Sequence, residues 1–430
     1  ERQGGWSDGV LKKQIAAAGL DSRDAGLATQ LCFGVIQNRI LLDFYLSKFS
    51  NIPLRRLEGK VLQALRLGLY QMLFLTRIPH SAAVDQSVAL TRAHCKNPRA
   101  PGMVNAILRN LERSLDRLPT IPENDPAEYY ATLYSHPVWL VRELLETLGS
   151  EGTAAFLQAD NSQPPITAMV NTVKTDLEGA LEALQAEGVH GEPHPWLKNC
   201  LVLSRSGSLE ELDAFQNGLF YVQDPASRLA VLTLDPEPGS RVLDMCAAPG
   251  GKSFAAAIQM RDQGEIWSCD LHPHKKTLIQ KGAQRLGLTC IRPQTADGKV
   301  RRPEWEGTFD RVLVDAPCSG LGVIRKKPDI RFKDPEPLAG LPQVQSAILD
   351  NAAGYVKPGG VLVYSTCTIL ERENRAVTDA FLAAHPEFSR ERFLLPGPAG
   401  EVSEGQITLW PQVHGTDGFY ICKLRKDGEA

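Results

Sequence analysis

The stretch that most restricts the fold is Arg241–Ser253, with the sequence RVLDMCAAPGGKS. A short apolar run ends in Asp244, a loop of small residues with Gly250 and Gly251 follows, and an alanine-rich helical pattern then begins. A strand, a tight turn and a helix start in this order form the unit from which cofactor-binding α/β domains are built. The glycines would let a ligand approach the backbone, and the helix N-terminus would offer it free N–H groups. A glycine pair that merely ends a strand would look the same in isolation.

Strands and helices alternate from Ser240 onward. This alternation predicts a Rossmann-like (class I) α/β domain, in which a parallel sheet is covered on both faces and binds ligands beyond the carboxyl ends of its strands. The candidate strands after the loop are Glu265–Asp270, Leu288–Arg292, Phe309–Asp315, Gly360–Thr366 and Gly418–Leu424.

The N-terminal part of the chain is helical in pattern. Apolar residues recur at helical spacing through residues 1–118, which predicts a compact all-α bundle of five to seven helices. Residues 1–120 hold 17 Lys and Arg against 9 Asp and Glu, a balance of +8, so the remainder carries −11 of a net charge of −3. A basic unit of this kind is expected where a protein approaches a polyanion, although a solvated helix face would give the same count. The proline-rich segment Leu118–Pro126 is interpreted as a linker.

A small α/β insert is predicted between the helices and the sheet. Residues 127–160 continue the helical pattern, and then Ile166–Asn171 and Cys200–Ser204 have strand patterns on either side of a helix over Leu177–Glu187. Such a unit is typical of RNA-recognition-motif-like (RRM-like) modules, although no aromatic pair marks a stacking surface here.

The cysteine pattern indicates the compartment. The nine cysteines contain no Cys-x-x-Cys pair, so we expect free thiols in a reducing cytoplasm and no structural metal. No apolar run approaches the roughly 20 residues that span a bilayer, and no signal-peptide pattern is found, so we expect no membrane association.

Acidic residues follow the predicted strands. Asp270 ends the strand after the one that ends in Asp244, where an acid can accept hydrogen bonds from a ribose diol, and Asp297 could take an adenine amino group from the next loop. These positions favour an adenosine-bearing cofactor. A P-loop would need glycine six residues before Lys252, where Cys246 stands, so we predict S-adenosylmethionine rather than ATP.

Two cysteine segments, Asp315–Gly320 and Ser365–Thr368, each follow a predicted buried strand. If these strands are neighbours, about 4.8 Å apart, Cys318 and Cys367 can face one pocket. A thiolate that adds to carbon 6 of cytosine makes carbon 5 able to accept a methyl group, and Asp315 is placed to assist at N3. The alternative is that both cysteines are small buried hydrophobic residues.

Several motifs resemble known families. The segments 83–90 (AVDQSVAL) and 102–109 (GMVNAILR) are similar to the NusB-like helical RNA-binding fold, in which Asp85 and Asn105 either contact RNA or bridge helices. The remainder resembles RNA cytosine-C5 methyltransferases, and with the NusB-like part the chain is similar to the Sun/Fmu-type enzymes that act on bacterial 16S (small-subunit) ribosomal RNA. The matching motifs are Gln216–Ser227, Asp244–Ser253, Asp315–Gly320, Pro328–Phe332, Ser365–Thr368 and His414–Tyr420.

The resemblance implies a role for each matching residue. Cys367 would be the nucleophile and Cys318 would assist product release, a distinction that the residues alone do not make. Asp315 is expected in both the catalytic and the cofactor-binding sets. Asp270 would bind the ribose and Asp297 the adenine. The methionine part of the cofactor would contact Cys246, Ala247, Ala248, Pro249, Gly250, Gly251 and Lys252.

Two further features bear on these expectations. The basic run Arg325–Lys333 suits phosphate contacts with RNA, with Phe332 as a possible stacking partner, although a solvated loop is the alternative. The family often has serine at the position of Thr368 and an acidic residue at the third position of Glu373–Arg375, so the role of Arg375 is open.

The resulting prediction is a cytoplasmic multi-domain enzyme. Its expected domains are a NusB-like bundle over 1–125, linker helices with the RRM-like insert over 126–215, and the methyltransferase over 216–430. Ribosomal RNA is the expected partner of a monomer without an obligate protein partner. The same chemistry on transfer RNA or DNA, or a non-catalytic RNA-binding or antitermination factor, remains an alternative.

Overall fold

The computed structural model describes residues 7–204 and 208–428. The chain forms two compact units. The first comprises the chain up to Ser162 together with Lys327–Lys333, and the second comprises Gln163–Lys326 and the chain from Asp334 onward. In the described residues, no helix has both the length and the apolar character that crossing a bilayer requires.

The first unit is helical. Its core is built from apolar residues at helical spacing, and Leu42, Leu69 and Leu108 are completely buried. Asp85 accepts a hydrogen bond from Arg109 at 2.8 Å, so Asp85 bridges two helices of the bundle. The helices are α1 (Ser7–Ala18), α2 (Ser22–Gln37), α3 (Arg39–Phe49), α4 (Gly59–Phe74), α5 (His80–His94), α6 (Ala100–Glu112), α7 (Pro126–Leu133) and α8 (Val138–Asp160).

The segment Lys327–Lys333 belongs to this helical unit, although it is distant in sequence. The guanidinium of Arg331 is completely buried and donates to the carbonyl oxygens of Gln37 at 2.7 Å and Ser135 at 2.8 Å, and to Oδ1 of Asn161 at 3.1 Å. Gln37 is the last residue of α2, Ser135 lies two residues after α7, and Asn161 is the C-cap of α8. The negative ends of these helices therefore favour a cation here.

Phe332 is also engaged inside the helical unit. The guanidinium carbon of Arg39 lies 3.5 Å from the centre of its ring. The prediction that Phe332 and the basic run around it face RNA is therefore wrong for Arg331 and Phe332, because both take part in the packing of the bundle.

The second unit starts with a small antiparallel sheet. Its strands lie in the order β2-β3-β1-β4, and its apolar face includes Ala168, Leu201 and Phe220, each completely buried. The elements are β1 (Ile166–Val170), α9 (Leu177–Ala186), β2 (His190–Pro193), β3 (Cys200–Ser204), α10 (Asp213–Gln216) and β4 (Phe220–Val222).

The rest of the second unit is built on a large mixed sheet of order β10-β14-β9-β8-β5-β6-β7, with β13 paired to β14. Its strands are β5 (Arg241–Asp244), β6 (Glu265–Asp270), β7 (Ile291–Thr295), β8 (Phe309–Asp315), β9 (Val356–Thr366), β10 (Phe388–Arg390), β13 (Gln406–Leu409) and β14 (Phe419–Lys426), and β11 (Phe393–Leu394) pairs with β12 (Glu401–Val402). Its helices are α11 (Pro225–Leu234), α12 (Gly251–Gln259), α13 (Pro273–Leu286), α14 (Pro335–Leu338), α15 (Leu341–Tyr355), α16 (Arg375–Ala384) and α17 (Pro411–His414).

Both faces of this sheet are buried. In β9, Val361 and Val363 pack into one core cluster, whereas Leu362 and Tyr364 pack into the other. Successive side chains of a strand point to opposite faces, so a strand covered on both sides needs the continuous apolar run that the sequence shows.

The predicted fold class is confirmed, with two corrections. The strands β9, β8, β5, β6 and β7 are parallel, but β14 pairs antiparallel with β9, so the sheet is mixed. The sequence did not predict the direction of β14, because a strand buried on both faces has the same continuous apolar run whether it is parallel or antiparallel to its neighbour. The strand expected over Leu288–Arg292 begins only at Ile291, because the N–H groups of Thr289 and Cys290 donate to the Asp262 carboxylate instead.

Candidate active site

The predicted cofactor loop joins β5 to α12 at the carboxyl edge of the sheet. Gly250, with φ of 114°, has a left-handed conformation, and a Cβ there would lie 2.4 Å from the ring of Phe254. Only glycine fits this turn without a clash. The first turn of α12 begins directly afterwards at Gly251, with N–H groups that have no acceptor within the helix.

The other residues of the loop differ in their exposure. Ala247 is buried and donates its N–H to the carbonyl of Cys269 at 2.8 Å, which fixes the loop to the end of β6. Ala248 is half-buried and Pro249 is exposed. Cys246 is half-buried, and burial together with nearby carboxylates raises the pKa of its thiol well above the usual value. Cys246 is therefore a neutral thiol rather than a second nucleophile.

Asp244 is buried beneath this loop. Its Oδ2 accepts from Ser253 Oγ at 2.7 Å, and Ser253 in turn accepts from Ser268 Oγ at 2.7 Å. Burial raises the pKa of Asp244 to about 7, and the charge of Asp315 adds to the rise. This carboxyl group thus supports the loop from below.

The two other predicted cofactor acids lie on the same side of the sheet. Asp270 ends β6, beside β5, and its Oδ1 is 3.5 Å from Nζ of Lys275. The N–H of Ala296 donates to the carbonyl of Asp270 at 3.0 Å, which ties the loop that carries Asp297 to the end of β6. The carboxylate of Asp297 is half-exposed and accepts from the N–H of Lys299 at 2.9 Å. Two carboxylates therefore stand where a ribose diol and an amino group could be bound.

The two cysteines of interest are brought together by neighbouring strands. β8 and β9 are parallel partners with Asp315 opposite Ser365, so the loops that follow them start side by side. The N–H of Gly322 donates to the carbonyl of Cys367 at 2.9 Å. The Sγ atoms of Cys318 and Cys367 are 3.3 Å apart, and both residues are half-buried. The alternative of two unrelated buried hydrophobic residues does not explain this geometry.

The surroundings of the Cys318 thiol strongly perturb it. The pKa of Cys318 is raised well above its usual value by its hydrogen bond to Cys367, by burial, and by the negative charges of Cys367 and Glu373. The raised pKa favours the protonated form of Cys318, in which its S–H group can donate to Cys367, although either sulfur can be the donor at this distance.

Lys252 joins the cofactor loop to the cysteine strands. Its Nζ lies 2.7 Å from Oδ2 of Asp315, whose Oδ1 accepts from Ser365 Oγ at 2.9 Å. Burial acts to lower the pKa of Lys252, but the ion pair with Asp315 outweighs it and the pKa is raised, with a further contribution from the charge of Cys367. A fixed cation therefore stands near the carboxylate and the thiol of the site.

The start of the basic run is engaged in buried ion pairs. Arg325 Nε lies 2.6 Å from Asp417 Oδ1, and Lys326 Nζ lies 2.7 Å from Asp417 Oδ2 and 2.5 Å from Asp224 Oδ2. The side chain of Arg325 is 5% exposed. The prediction that this run contacts RNA phosphates is therefore wrong for Arg325, because its charge is used to hold the loop after Cys318.

Sequence reasoning noted the segment Glu373–Arg375 but did not predict that its first two residues support both cysteine loops. Glu373 and Asn374 are buried, and their side chains bind the backbone or side chains beside Cys318 and Cys367. A signal was available, since Glu373 and Asn374 directly precede the amphipathic helix α16 and follow the apolar pair Ile369–Leu370 after two intervening residues. The pairing of Lys252 with Asp315 was also not predicted.

Three family models match parts of the chain. The 16S rRNA methyltransferase RsmB/F model matches residues 231–425, the NusB family model matches residues 1–113, and the ferredoxin-like domain of RsmF/B-like methyltransferases matches residues 136–210. The probable ribosomal RNA small subunit methyltransferase B of Bacillus subtilis (strain 168) is 40% identical, covering 100% of this chain and 96% of its own length. The chain belongs to the RsmB/F family of 16S rRNA methyltransferases.

Other members agree with this assignment. Ribosomal RNA small subunit methyltransferase B of Klebsiella pneumoniae is 34% identical, covering 95% of this chain and 91% of that protein. The crystal structure of PH0851 has a TM-score of 0.78 at 28% identity and covers 94% of this chain and 90% of its own. By family, the chain is thus a methyltransferase of small-subunit ribosomal RNA with a NusB-like N-terminal part, as the resemblance implied. The domain limits after residues 125 and 215 stay predictions.

Proposed function

We propose that this RsmB/F-family member transfers a methyl group from S-adenosylmethionine to carbon 5 of one cytosine in 16S ribosomal RNA, through a covalent bond between Cys367 and carbon 6. The observation that carries the proposal is the pair of thiols 3.3 Å apart beside a carboxylate that is paired with a lysine. This arrangement suits nucleophilic addition to a pyrimidine.

The cofactor loop has the properties that the proposed cofactor needs. A turn in which only glycine fits at position 250, the N-terminus of α12, and the carboxylates of Asp270 and Asp297 offer room, N–H donors and acceptors. We propose that residues 246–252 hold the methionine part, Asp270 the ribose and Asp297 the adenine. The cofactor would supply an electrophilic methyl group to this site.

The raised pKa of Cys318 supports the proposed roles of the two thiols. A raised pKa keeps the proton on Cys318, which can donate a hydrogen bond to a thiolate of Cys367, and Lys252 adds positive charge. We infer that Cys367 ionises first and adds to carbon 6, while Asp315 assists at N3 of the base.

The same electrostatics explain release. The negative charge of Cys367 and its hydrogen bond with Cys318 both raise the pKa of Cys318. When the sulfur of Cys367 is bonded to carbon 6, the charge and the hydrogen bond are lost. Cys318 then becomes easier to ionise, and after it has released its own proton to water its thiolate can accept the carbon 5 proton. The electron pair of the carbon–hydrogen bond restores the 5,6 double bond and expels Cys367 as a thiolate.

We further propose that the NusB-like part contributes RNA affinity and that the protein acts as a cytoplasmic monomer without an obligate protein partner. The net balance of +8 over residues 1–120 supports the first of these points.

The test uses three cysteine variants with 16S ribosomal RNA and labelled cofactor. Cys367→Ala should abolish methyl transfer and retain cofactor binding, and Cys318→Ala should accumulate a denaturant-resistant protein–RNA band. Cys32→Ala, a half-buried cysteine in the helical unit, is the matched control and should behave as wild type. Full transfer by Cys367→Ala would contradict the mechanism. Transfer to transfer RNA alone, or RNA binding without any transfer, would favour the two alternatives.

A further inference from the structure

Glu373 is a buried acid with no catalytic assignment. It ends the 3-10 turn Glu371–Glu373 after the Cys367 loop, and its side chain is 0% exposed. Its Oε2 accepts from the N–H of Ser319 and from Nε2 of Gln345, both at 2.9 Å. Among the ion pairs of residues 7–204 and 208–428, none involves Glu373. Burial of an unpaired carboxylate is costly, and the two hydrogen bonds to Oε2 offset part of that cost.

The bonds of Glu373 reach the Cys318 loop, and those of its neighbour reach the Cys367 loop. Ser319, which binds Glu373, directly follows Cys318. Asn374 accepts from Thr366 Oγ1 at 2.6 Å and donates to the carbonyl of Thr368 at 3.0 Å, and these two residues flank Cys367.

Two further bonds join the loops to each other. Ser319 Oγ and Thr368 Oγ1 are 2.6 Å apart, and Gln345 Nε2 also donates to the carbonyl of Pro317 at 3.0 Å. Thus the residues on both sides of Cys318 and of Cys367 are fixed to one buried polar network, of which Glu373 is the charged member.

We propose that Glu373 is a positioning residue for the two cysteines: its carboxylate holds the backbone beside Cys318 so that the Cys318 thiol stays next to Cys367. The catalytic importance of Glu373 rests on the proposed function, whereas its effect on the distance between the two thiols does not. The negative charge of Glu373 also contributes to the raised pKa of Cys318, after the hydrogen bond to Cys367 and burial. Glu373 therefore acts on Cys318 through position and through charge.

The first experiment measures thiol proximity without any methylation. A diazene oxidant converts two thiols to a disulfide, taking up their two protons and two electrons to become a hydrazine. In wild type, the sulfur atoms at 3.3 Å should link rapidly, and the Cys318–Cys367 bond can be quantified by peptide mass spectrometry. Glu373→Ala should slow this linkage at least tenfold. Linkage by Glu373→Ala at the wild-type rate would overturn the proposal.

Two matched variants distinguish a loss of cysteine positioning from a general loss of folding. In Glu373→Gln the amide oxygen can replace Oε2, and the NH₂ group takes the place of Oε1, which has no hydrogen-bond partner among the described residues. This variant should link within about threefold of wild type. Glu371→Ala removes an exposed acid from the same turn and should have no effect. Slow linkage in Glu371→Ala as well would assign the effect to disruption of the turn and would overturn the specific role of Glu373.

The second experiment tests the catalytic consequence. Glu373→Ala should accumulate the covalent protein–RNA band as Cys318→Ala does, with cofactor binding unchanged. In the Cys318→Ala background it should add no further effect, because Glu373 acts through Cys318. An equal additional loss in that background would contradict the proposal. If Cys318→Ala forms no band at all, the proposed chemistry fails, whereas the linkage rates still decide on Glu373.

Discussion

Replacing Arg331 tests the finding that the segment Lys327–Lys333 is a structural part of the helical unit. Arg331→Met keeps the approximate volume of the side chain and removes its charge. Burial lowers the pKa of Arg331 to about 10, so the guanidinium is still protonated at neutral pH. The substitution therefore leaves three buried acceptors, at Gln37, Ser135 and Asn161, without their cationic donor.

The size of the effect follows from these contacts. Removing one member of a buried charged network typically costs about 3–5 kcal/mol, because the remaining polar groups stay desolvated. Because every 1.4 kcal/mol is a factor of ten, the opening equilibrium of the helix ends should rise by a factor of roughly 10² to 4 × 10³. Hydrogen exchange by mass spectrometry measures this directly on peptides from α2, α7 and α8.

The control is Lys327→Met, which removes a charge from an exposed residue of the same segment and should leave exchange unchanged. If Arg331→Met exchanged like wild type but lost RNA affinity, the buried-anchor account would be refuted and the RNA-facing interpretation of Arg331 restored.

Three more predictions follow from the described contacts. The pKa of Asp244 is raised to about 7 from an unfolded value of about 4, so the native state holds this proton more tightly than the unfolded state does. As the pH rises between these two values, the contribution of Asp244 to the free energy of unfolding should fall by up to about 1.4 kcal/mol per pH unit. Chemical denaturation across this pH range should show the slope in wild type and a flatter slope in Asp244→Asn. Lys252→Met leaves the carboxylate of Asp315 without its partner at 2.7 Å and should reduce kcat for methyl transfer at least 100-fold while the protein stays folded by circular dichroism. Neutralising the exposed Arg92 and Lys96 to glutamine should reduce the salt slope of RNA binding by about 1.4 in a filter-binding titration; an unchanged slope would place the RNA contacts elsewhere.

The sequence was sufficient where local patterns determine structure. The strand–loop–helix at Asp244–Gly251, the buried acidic strand ends and the two cysteine loops are each determined by neighbouring residues, and each lies where the pattern indicated. The proximity of Cys318 and Cys367 needed only the assumption that their strands are neighbours, which β8 and β9 are.

Contacts between distant segments could not be read in this way. Lys252 was expected to bind the cofactor, and Asp315 was expected in both the catalytic and the cofactor-binding sets. Their ion pair was not predicted, because it depends on β5 lying beside β8, a strand order that no local pattern encodes. Arg331 looked like part of a basic surface, but its acceptors lie 294 and 196 residues away in sequence. Burial of a charged residue depends on such distant partners, and composition alone does not predict it.

The most direct test of the central claim is a map of 5-methylcytosine in small-subunit ribosomal RNA from cells with and without this protein. In the cells that lack the protein, one cytosine should lose its carbon 5 methyl group, and wild-type protein but not Cys367→Ala should restore it. An unchanged map, or a methyl group lost from another base or another atom, would contradict the account.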